Sequence, residues 1–391
     1  MICVGIDVSK DKHDCCIFSS DAQLLLKPFS VPNNRDGFDS LYSAVRSFEN
    51  DPDKVKVGLE ATGHYSFNIL GYLLEKGIHC FVFNPLHTNL YRKSLTLRKT
   101  KTDKVDSKII AKMLLSEVDL KPYSKTLYHN EQLKSLSRYR FSKIRERGNL
   151  KQQLARLVNI LFPELENLVP SLHLSSVYAL LEEFPGASYV AKAHITRLSN
   201  LLCASSKGHY KKDKAVEIRN AASSSVGSVM PAKSLELKHT IQLIRILSEE
   251  IDEIESQIQE IMEKIQSPIT SIPGLGFRMA AMILSEIGDF SKFDSPDKIL
   301  AFAGISPSTY QSGKLDNAYA HMEKRGSRYL RYALYNAAIY VCHWDKTFSV
   351  YLQKKRAEGK HYYVALSHAI KKLVRVIYRL QLTGEPYRPA V

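Results

Sequence analysis

The chain has 391 residues and carries 55 lysines and arginines against 40 aspartates and glutamates, a formal charge of +15. A charge of this sign and size predicts a polyanionic partner, either nucleic acid or an anionic membrane surface. A membrane-spanning protein is excluded, because no apolar run reaches the length of about 18 residues that a spanning helix needs. A zinc enzyme is excluded, because the six cysteines and thirteen histidines show no zinc-ligand spacing.

Residues 1–125 alternate predicted strands and helices. Buried, β-branched runs predict strands at Ile2–Val8, His13–Phe18, Val55–Glu60 and His79–Phe83. Helical spacing predicts a helix after residues 33–36, a second at 65–76 and a third from residue 103. The resulting ββαβαβα order, with acids at strand ends, is the pattern of an RNase H-like nuclease domain.

Four carboxylates occur in this part of the chain at positions that suit a metal site. Asp7 and Glu60 lie at the ends of two predicted strands, while Asp103 and Asp106 share one face of the following helix by their i, i+3 spacing. Mg²⁺ prefers such oxygen ligands, and two ions about 4 Å apart can clamp both oxygens of a reacting phosphodiester. Each acid alone is commonly a strand end or a helix cap, but their order predicts a magnesium site. Nearby cations such as Lys101 would suit the phosphates of a substrate.

From residue 126 the chain is predicted to be helical. Glu131–Leu161 predicts a long helix with one-sided positive charge, and we expect its cations, including Arg138 and Arg145, to bind nucleic acid. Residues 235–266 follow the 3-4 spacing of a coiled coil. That coil could pair with the basic helix as an antiparallel hairpin or with another subunit.

A third predicted domain, 267–391, is mainly helical and follows domains at 1–125 and 126–266. Its start resembles a helix-hairpin-helix, in which a Gly-x-Gly turn directs backbone N–H groups at a phosphate. Ser312 lies beside a glycine in a loop, and it is a candidate nucleophile if a base, a metal or positive charge lowers its pKa. Tyr310 and Tyr319 are rival nucleophiles, and a plain turn serine is the simplest alternative. Four cations that could hold phosphate oxygens follow: Lys324, Arg325, Arg328 and Arg331.

Seven motifs occur in one order along the chain. They are Gly5-Ile-Asp-Val-Ser-Lys10, Leu59-Glu-Ala-Thr-Gly63, Lys101-Thr-Asp-x-x-Asp106, Pro273-Gly-Leu-Gly276, Gly304-Ile-Ser-Pro307, Gln311-Ser-Gly313 and Lys324-Arg-Gly-x-x-x-Leu-Arg331. In these motifs the sequence resembles the insertion-sequence transposases with an N-terminal DEDD (RuvC-like) domain and a C-terminal serine domain, relatives of the Piv-type DNA invertases. The resemblance covers both ends of the chain and not residues 165–232.

This resemblance implies a bacterial or archaeal DNA recombinase of the cytoplasm, associated with the nucleoid. Asp7, Glu60, Asp103 and Asp106 would bind Mg²⁺, and Ser312 would attack a DNA phosphodiester to form a covalent phosphoserine link. The two sites would meet in a composite centre, within a dimer or tetramer. The implied partners are donor and target DNA, together with a structured bridge RNA that base-pairs with both.

Three other functions remain open at this point. The first is a RuvC-like, magnesium-dependent endonuclease that acts on DNA junctions without a covalent serine step. The second is an actin-like or sugar-kinase-like ATPase, for which a second glycine-rich phosphate loop is missing from the sequence. The third is a nucleic-acid scaffold without catalysis.

Overall fold

The computed structural model describes residues 1–60, 65–83, 85–95, 103–116, 120, 122–123, 125–306, 311–312, 315–316 and 322–389. Lys101, Tyr310 and Tyr319 lie outside these residues. The chain separates into two compact units, Met1–His129 and Asn130–Val391, and the predicted division into three domains stays a prediction. Within the described residues, no helix combines the length and the apolar character needed to cross a bilayer. The six cysteines, all described, are free thiols.

A mixed sheet forms the centre of the first unit. Its strands among the described residues are β1 (Ile2–Val8), β2 (Lys12–Ser19), β3 (Leu24–Pro32), β4 (Val55–Glu60) and β5 (His79–Phe83). The order is β3-β2-β1-β4-β5, in which β1, β4 and β5 are parallel and β2 is antiparallel to both of its neighbours. The four predicted strands are confirmed, and the first unit is the expected mixture of sheet and helices.

The edge strand β3 has no counterpart in the sequence prediction. It contains Pro28 and Pro32, and most of its side chains are partly or fully exposed. Proline donates no backbone hydrogen bond, so it is tolerated in edge strands and argues against a strand when only the sequence is read. The sequence of β3 therefore gives no strand signal, although the segment forms a strand by pairing with β2.

Helices cover this sheet. They are α1 (Arg35–Arg46), α2 (Ser66–Glu75), α3 (Pro85–Leu95) and α4 (Asp103–Ser116). The predicted cap of α1 is confirmed, since the side chain of Asn34 accepts a hydrogen bond from the Gly37 N–H at 2.9 Å. Helix α3 was not predicted, although a proline suits the first position of a helix.

The second unit is mostly helical. Its elements are α5 (Lys125–Leu161, which starts before the unit boundary), α6 (Leu165–Leu168), α7 (Ser175–Glu183), α8 (Ala187–Lys192), α9 (Ile195–Ser205), α10 (Lys212–Ser223), α11 (Pro231–Ile265), α12 (Phe277–Ile287), α13 (Pro296–Phe302), β6 (Gln311–Ser312), β7 (Leu315–Asp316), α14 (Arg328–Trp344), α15 (Lys346–Ala357) and α16 (Tyr362–Thr383). The predicted long helices are confirmed as α5 and α11.

The two long helices run antiparallel to each other. Polar pairs join them in opposite sequence order: Arg140 with Glu255 at 2.6 Å, Lys143 with Glu250 at 2.7 Å and Gln153 with Glu236 at 2.9 Å. Of the two pairings predicted for the 235–266 helix, the structure therefore contains the intramolecular hairpin.

The buried face of α11 departs from a strict heptad at its end. Met262 is buried, whereas Ile265, a predicted core position, is 42% exposed. An undistorted helix has about 3.6 residues per turn, so its buried face drifts relative to a 3.5-residue repeat. The supercoiled packing of a true coiled coil stays a prediction.

Two hydrophobic cores lie along this hairpin. Helices α6 to α10 pack against the last two turns of α5 and the first half of α11. Helices α12 to α16 share a core with Leu133 of α5 and with Ile254, Ile258 and Met262 of α11. Residues on both sides of position 266 therefore belong to one core.

The predicted helix-hairpin-helix turn is a tight junction between packed helices. Gly274 has φ +85°, and a Cβ there would lie 2.6 Å from the carbonyl oxygen of Tyr340 in α14. Glycine is needed because the backbone conformation is left-handed and a second backbone passes close by. Gly276 then precedes α12 as its N-cap. Phosphate binding at this turn stays a prediction.

Candidate active site

Asp7 and Glu60 lie at the same edge of the sheet. Each follows a residue of the pair Ile6–Leu59, which is the last pair in the register of the parallel strands β1 and β4. Neighbouring strands are about 4.8 Å apart, and side chains at equivalent positions leave the same face. The register therefore places the two acids next to each other at the carboxyl ends of the strands.

Helix α4 packs directly on the backbone of these strands. A Cβ at Gly5 would lie 2.0 Å from the carbonyl oxygen of Ser107, and a Cβ at Gly58 would lie 2.9 Å from Cγ2 of Ile110. Only glycine permits such a close approach. The two glycines are therefore contact points that set the height of α4 above the sheet.

The face that α4 covers also carries the strand-end acids, since Gly5 precedes Asp7 by two residues and side chains alternate along a strand. Cys3, at the opposite end of β1, belongs to one apolar cluster with Ile109, Ile110, Met113 and Leu114 of α4. Helix α4 begins at Asp103, so Asp103 and Asp106 both lie in its first turn.

Asp106 is a buried acid in this turn and has a cationic partner. It is 8% exposed, and Nη1 of Arg92 lies 3.4 Å from its Oδ1. Nη2 of the same arginine donates to Oδ1 of Asn89 at 2.7 Å, so α3 orients the guanidinium. A buried carboxylate needs a nearby positive charge. Arg92 supplies that charge to Asp106, in the place where a bound divalent ion would otherwise supply it.

The donor set fits a hard divalent cation in its chemistry, because carboxylate oxygens are the preferred ligands of Mg²⁺. The described side chains do not surround a common point: among them, no group of three or more His, Cys, Asp or Glu residues could hold a metal ion. The side chain of Asp103 is not among the described atoms. The four-carboxylate site therefore stays a prediction.

A further acid, Asp14, lies beside Asp7 and was not predicted. The two residues are paired between β1 and β2. Asp14 is 1% exposed, accepts a hydrogen bond from Ser30 Oγ at 2.6 Å and lies 3.2 Å from Nζ of Lys12. These partners give Asp14 a structural role in the sheet. Asp14 could have been noticed in the sequence, because it is the one acid among the apolar residues of β2.

Ser312 belongs to the second unit, whereas the four acids belong to the first. It pairs with Leu315 in the short antiparallel ladder of β6 and β7. Its side chain is not among the described atoms. The role of Ser312 as a nucleophile, and its meeting with the acids, stay predictions.

The chain on either side of β6 and β7 is joined by backbone hydrogen bonds. The N–H of Glu323 donates to the carbonyl of Ser306 at 3.2 Å, and the N–H of Ser327 donates to the carbonyl of Phe302 at 2.9 Å. We refer to residues 302–306 and 322–331 together as the neck. Because the neck precedes β6 and follows β7, it sets where the chain that carries Ser312 begins and ends.

The four predicted phosphate-binding cations divide into two groups at the neck. Nη1 of Arg331 donates to the carbonyls of Ala303 at 2.9 Å and Lys324 at 3.2 Å, so Arg331 holds the neck together. Lys324, Arg325 and Arg328 have exposed side chains. The exposed three remain candidates for phosphate contacts.

The positive charge of α5 is partly neutralised inside the unit. Nε and Nη2 of Arg138 donate to the two carboxylate oxygens of Glu286, at 2.6 and 3.0 Å. Arg145 is exposed and lies over the ring of Phe141, 5.8 Å from its centroid. The sequence alone does not show that acids of α11 and α12 pair with the cations of α5, because these residues become neighbours only in the folded chain. Nucleic-acid binding by Arg145 stays a prediction, and the charge of Arg138 already has an internal partner.

Two family profiles match the chain. Residues 4–163 match a profile for DEDD transposases of the IS110 type, described as a transposase. Residues 266–353 match a profile described as the IS116/IS110/IS902 transposase family. The two matches cover both ends of the chain, where the sequence motifs lie.

Relatives with similar sequences extend over almost the whole chain. An uncharacterized 44.8 kDa protein of insertion element IS116 from Streptomyces clavuligerus is 24% identical over 100% of this chain and 96% of its own length. A 42 kDa protein of IS900 from Mycobacterium paratuberculosis is 23% identical, with 99% and 97% covered. The pilin gene-inverting protein of Moraxella bovis is 22% identical, with 98% and 97% covered.

Among solved structures, RuvC of T. thermophilus in complex with a Holliday junction substrate is similar to part of the chain. It is 15% identical and covers 32% of this chain and 99% of RuvC, with a TM-score of 0.22.

Proposed function

The chain belongs to the IS110/IS116 family of insertion-element transposases and is a DNA recombinase, and from this premise we propose that it cuts and rejoins DNA with Ser312 as the nucleophile and a carboxylate magnesium site. One observation carries the proposal more than any other. Asp7 and Glu60 end neighbouring parallel strands, and the helix that carries Asp103 and Asp106 packs on the glycines of those same strands. We assign this unit an RNase H-like fold of the RuvC type.

Asp7, Glu60, Asp103 and Asp106 would hold the metal. Bound Mg²⁺ would neutralise charge that develops on the reacting phosphate. Arg92 now offsets the charge of Asp106, and we expect it to release this acid or to share it with the ion.

Ser312 would carry the covalent step. Its Oγ forms a bond to phosphorus and loses its proton, while the bond from phosphorus to one deoxyribose oxygen breaks and that oxygen gains a proton. The phosphoserine ester conserves the bond energy, so a hydroxyl of a second DNA end can displace Ser312 and complete the exchange. Lys324, Arg325 and Arg328 would contact phosphates around this reaction.

We also propose the partners. Donor and target DNA suit the formal charge of +15, and a bridge RNA would pair with both. The pilin gene-inverting relatives suggest that the same chemistry serves inversion as well as insertion. We expect a dimer or tetramer in the bacterial or archaeal cytoplasm.

The test is a search for a covalent adduct. The protein is incubated with element-end DNA, Mg²⁺ and its co-purified RNA, and adducts are separated under denaturing conditions and mapped by mass spectrometry. We expect Ser312→Ala to abolish the adduct and Asp106→Asn to reduce it by on the order of a hundredfold. Ser256→Ala and Asp252→Asn change an exposed serine and an exposed acid of α11 and serve as matched controls.

A metal-dependent endonuclease without a covalent step is the second candidate. One observation favours it: the four acids all belong to the first unit, so their chemistry does not require Ser312. In that case Ser312→Ala would cleave DNA as fast as the wild type, while Asp106→Asn would not cleave. This result would reject the serine mechanism and retain the carboxylate site.

A further inference from the structure

Glu286 of α12 is a buried acid that the proposed reaction does not use. Its side chain is 1% exposed, and it binds Arg138 of α5 through both carboxylate oxygens. It also accepts a hydrogen bond from Ser327 Oγ at 2.6 Å. Three residues from three different parts of the chain therefore form one continuous contact. We call this set the Arg138–Glu286–Ser327 relay.

The relay is a strong contact in electrostatic terms. Burial acts to lower the pKa of Arg138, but the hydrogen bond and the charge of Glu286 outweigh it, so the pKa is raised. The guanidinium also lies over the ring of Tyr329, 4.7 Å from its centroid. Glu286 is buried whereas Arg138 is 42% exposed, so removing Arg138 destabilises the protein by leaving a buried carboxylate without its cation.

Ser327 connects the relay to the neck. Its hydroxyl accepts a hydrogen bond from the N–H of Leu330 at 3.1 Å and so caps α14. Its own N–H donates to the carbonyl of Phe302 on the opposite side of the neck. A change in the relay therefore acts on a residue that joins the two sides of the neck.

We propose that Arg138 and Glu286 are positioning residues for Ser312, since they hold Ser327 and thereby fix the neck from which the chain extends to β6 and β7. The proposal rests on the function of Ser312 proposed above. Glu286 is buried, and Arg138, which the sequence suggested as a nucleic-acid contact, is already engaged by both carboxylate oxygens of Glu286. Loss of the relay should therefore slow the covalent step and leave the affinity for DNA unchanged.

The ion pair of Arg140 with Glu255 provides a control. It lies two residues further along the same helix and is equally close at 2.6 Å, and Arg140 is 9% exposed against 42% for Arg138. Glu255 also binds Arg278 of α12, so this pair contacts α11 and α12 and not the neck. Arg138→Gln, Glu286→Gln and Arg140→Gln each remove one charge from an ion pair. Ser327→Ala removes the hydroxyl of the relay, and Ser327→Thr retains a hydroxyl.

The rate of adduct formation at Ser312 and the dissociation constant for element-end DNA are measured for each variant of the full-length protein. We expect the rate to fall by about tenfold or more in Arg138→Gln, Glu286→Gln and Ser327→Ala, with an unchanged dissociation constant. Arg140→Gln and Ser327→Thr should stay within about threefold of the wild type. The proposal is overturned if Arg138→Gln and Glu286→Gln keep the wild-type rate, or if Arg140→Gln slows the reaction as much.

Amide hydrogen exchange provides a readout that does not depend on activity. The N–H groups of Glu323 and Ser327 should exchange faster in Arg138→Gln and Glu286→Gln than in Arg140→Gln, because they close the neck. Equal protection in all three variants would overturn the proposal. A wild-type adduct that maps away from Ser312 would overturn both this proposal and the proposed function. An adduct at Ser312 that the relay variants do not slow would overturn the relay alone.

Discussion

Individual paired residues show how far partners can lie apart in the sequence. Arg138 and Glu286 are 148 residues apart, so no local pattern could connect them. Asp7 and Glu60 could be identified from the sequence because each ends an apolar strand, which is a local signal. Arg92 has no such local signal, since its partner Asp106 becomes its neighbour only through the packing of α3 against α4.

His13 in β2 makes the stability of the first unit depend on pH. It is fully buried, its ring stacks on Phe38 with centroids 5.8 Å apart, and burial lowers its pKa more than its neighbours raise it. Because the folded-state pKa is below the unfolded value of about 6.5, this contribution to stability is complete above that pH and is lost as the pH falls below it.

We therefore expect the free energy of unfolding to decrease between about pH 7.5 and pH 5.5, and to decrease less in His13→Leu. Urea titrations at several pH values measure this slope. His239→Gln, which changes an exposed histidine of α11, should keep the wild-type slope. If His13→Leu retains the full pH dependence, His13 is not the group that titrates.

Elements with a strong periodic signal were predicted with accurate bounds, and the others depended on their surroundings. Strands β1, β4 and β5 have the predicted ends because apolar, β-branched runs are bounded by turn residues. Strand β3 and helix α3 were missed, since prolines obscure the former and polar residues the latter. The position of α4 on the sheet also had no sequence signal beyond two glycines.

Gly5 tests whether α4 must lie close to the sheet for the acids to act. In Gly5→Ala the new Cβ would lie 2.0 Å from the carbonyl oxygen of Ser107, so α4 must move away from β1 and carry Asp106 with it. We expect a loss of about 2 kcal/mol or more in stability and a loss of Mg²⁺-dependent cleavage. Thermal unfolding and a cleavage assay measure the two effects.

Gly71 of α2 is the control, because a Cβ there has no atom within 4 Å. Gly71→Ala should keep cleavage and should raise stability by up to about 1 kcal/mol, since alanine favours a helix interior. A Gly5→Ala protein with normal stability and normal cleavage would contradict the placement of α4.

The whole molecule carries an excess of 15 positive charges, but part of the charge of α5 has partners inside the second unit. The exposed cations of the neck should therefore contribute more to binding of nucleic acid than the paired cations of α5. Each phosphate contact contributes about 0.9 to the slope of log K against log salt concentration.

Replacing Lys324, Arg325 and Arg328 together by glutamine should weaken DNA binding and reduce this slope by about two to three. Arg140→Gln should leave the slope unchanged, because Arg140 is paired with Glu255. Fluorescence anisotropy at several salt concentrations gives both slopes. Equal slopes for the triple variant and the wild type would show that the neck cations do not contact DNA.

The core that joins α12 to α16 with the hairpin has a consequence for chimeric proteins. Because Leu133 and Ile258 complete that core, the helices after residue 266 do not possess a full interior of their own. A graft that exchanges only those helices between related insertion elements would combine mismatched apolar surfaces. Successful hybrids should instead inherit both arms of the hairpin together with the C-terminal helices.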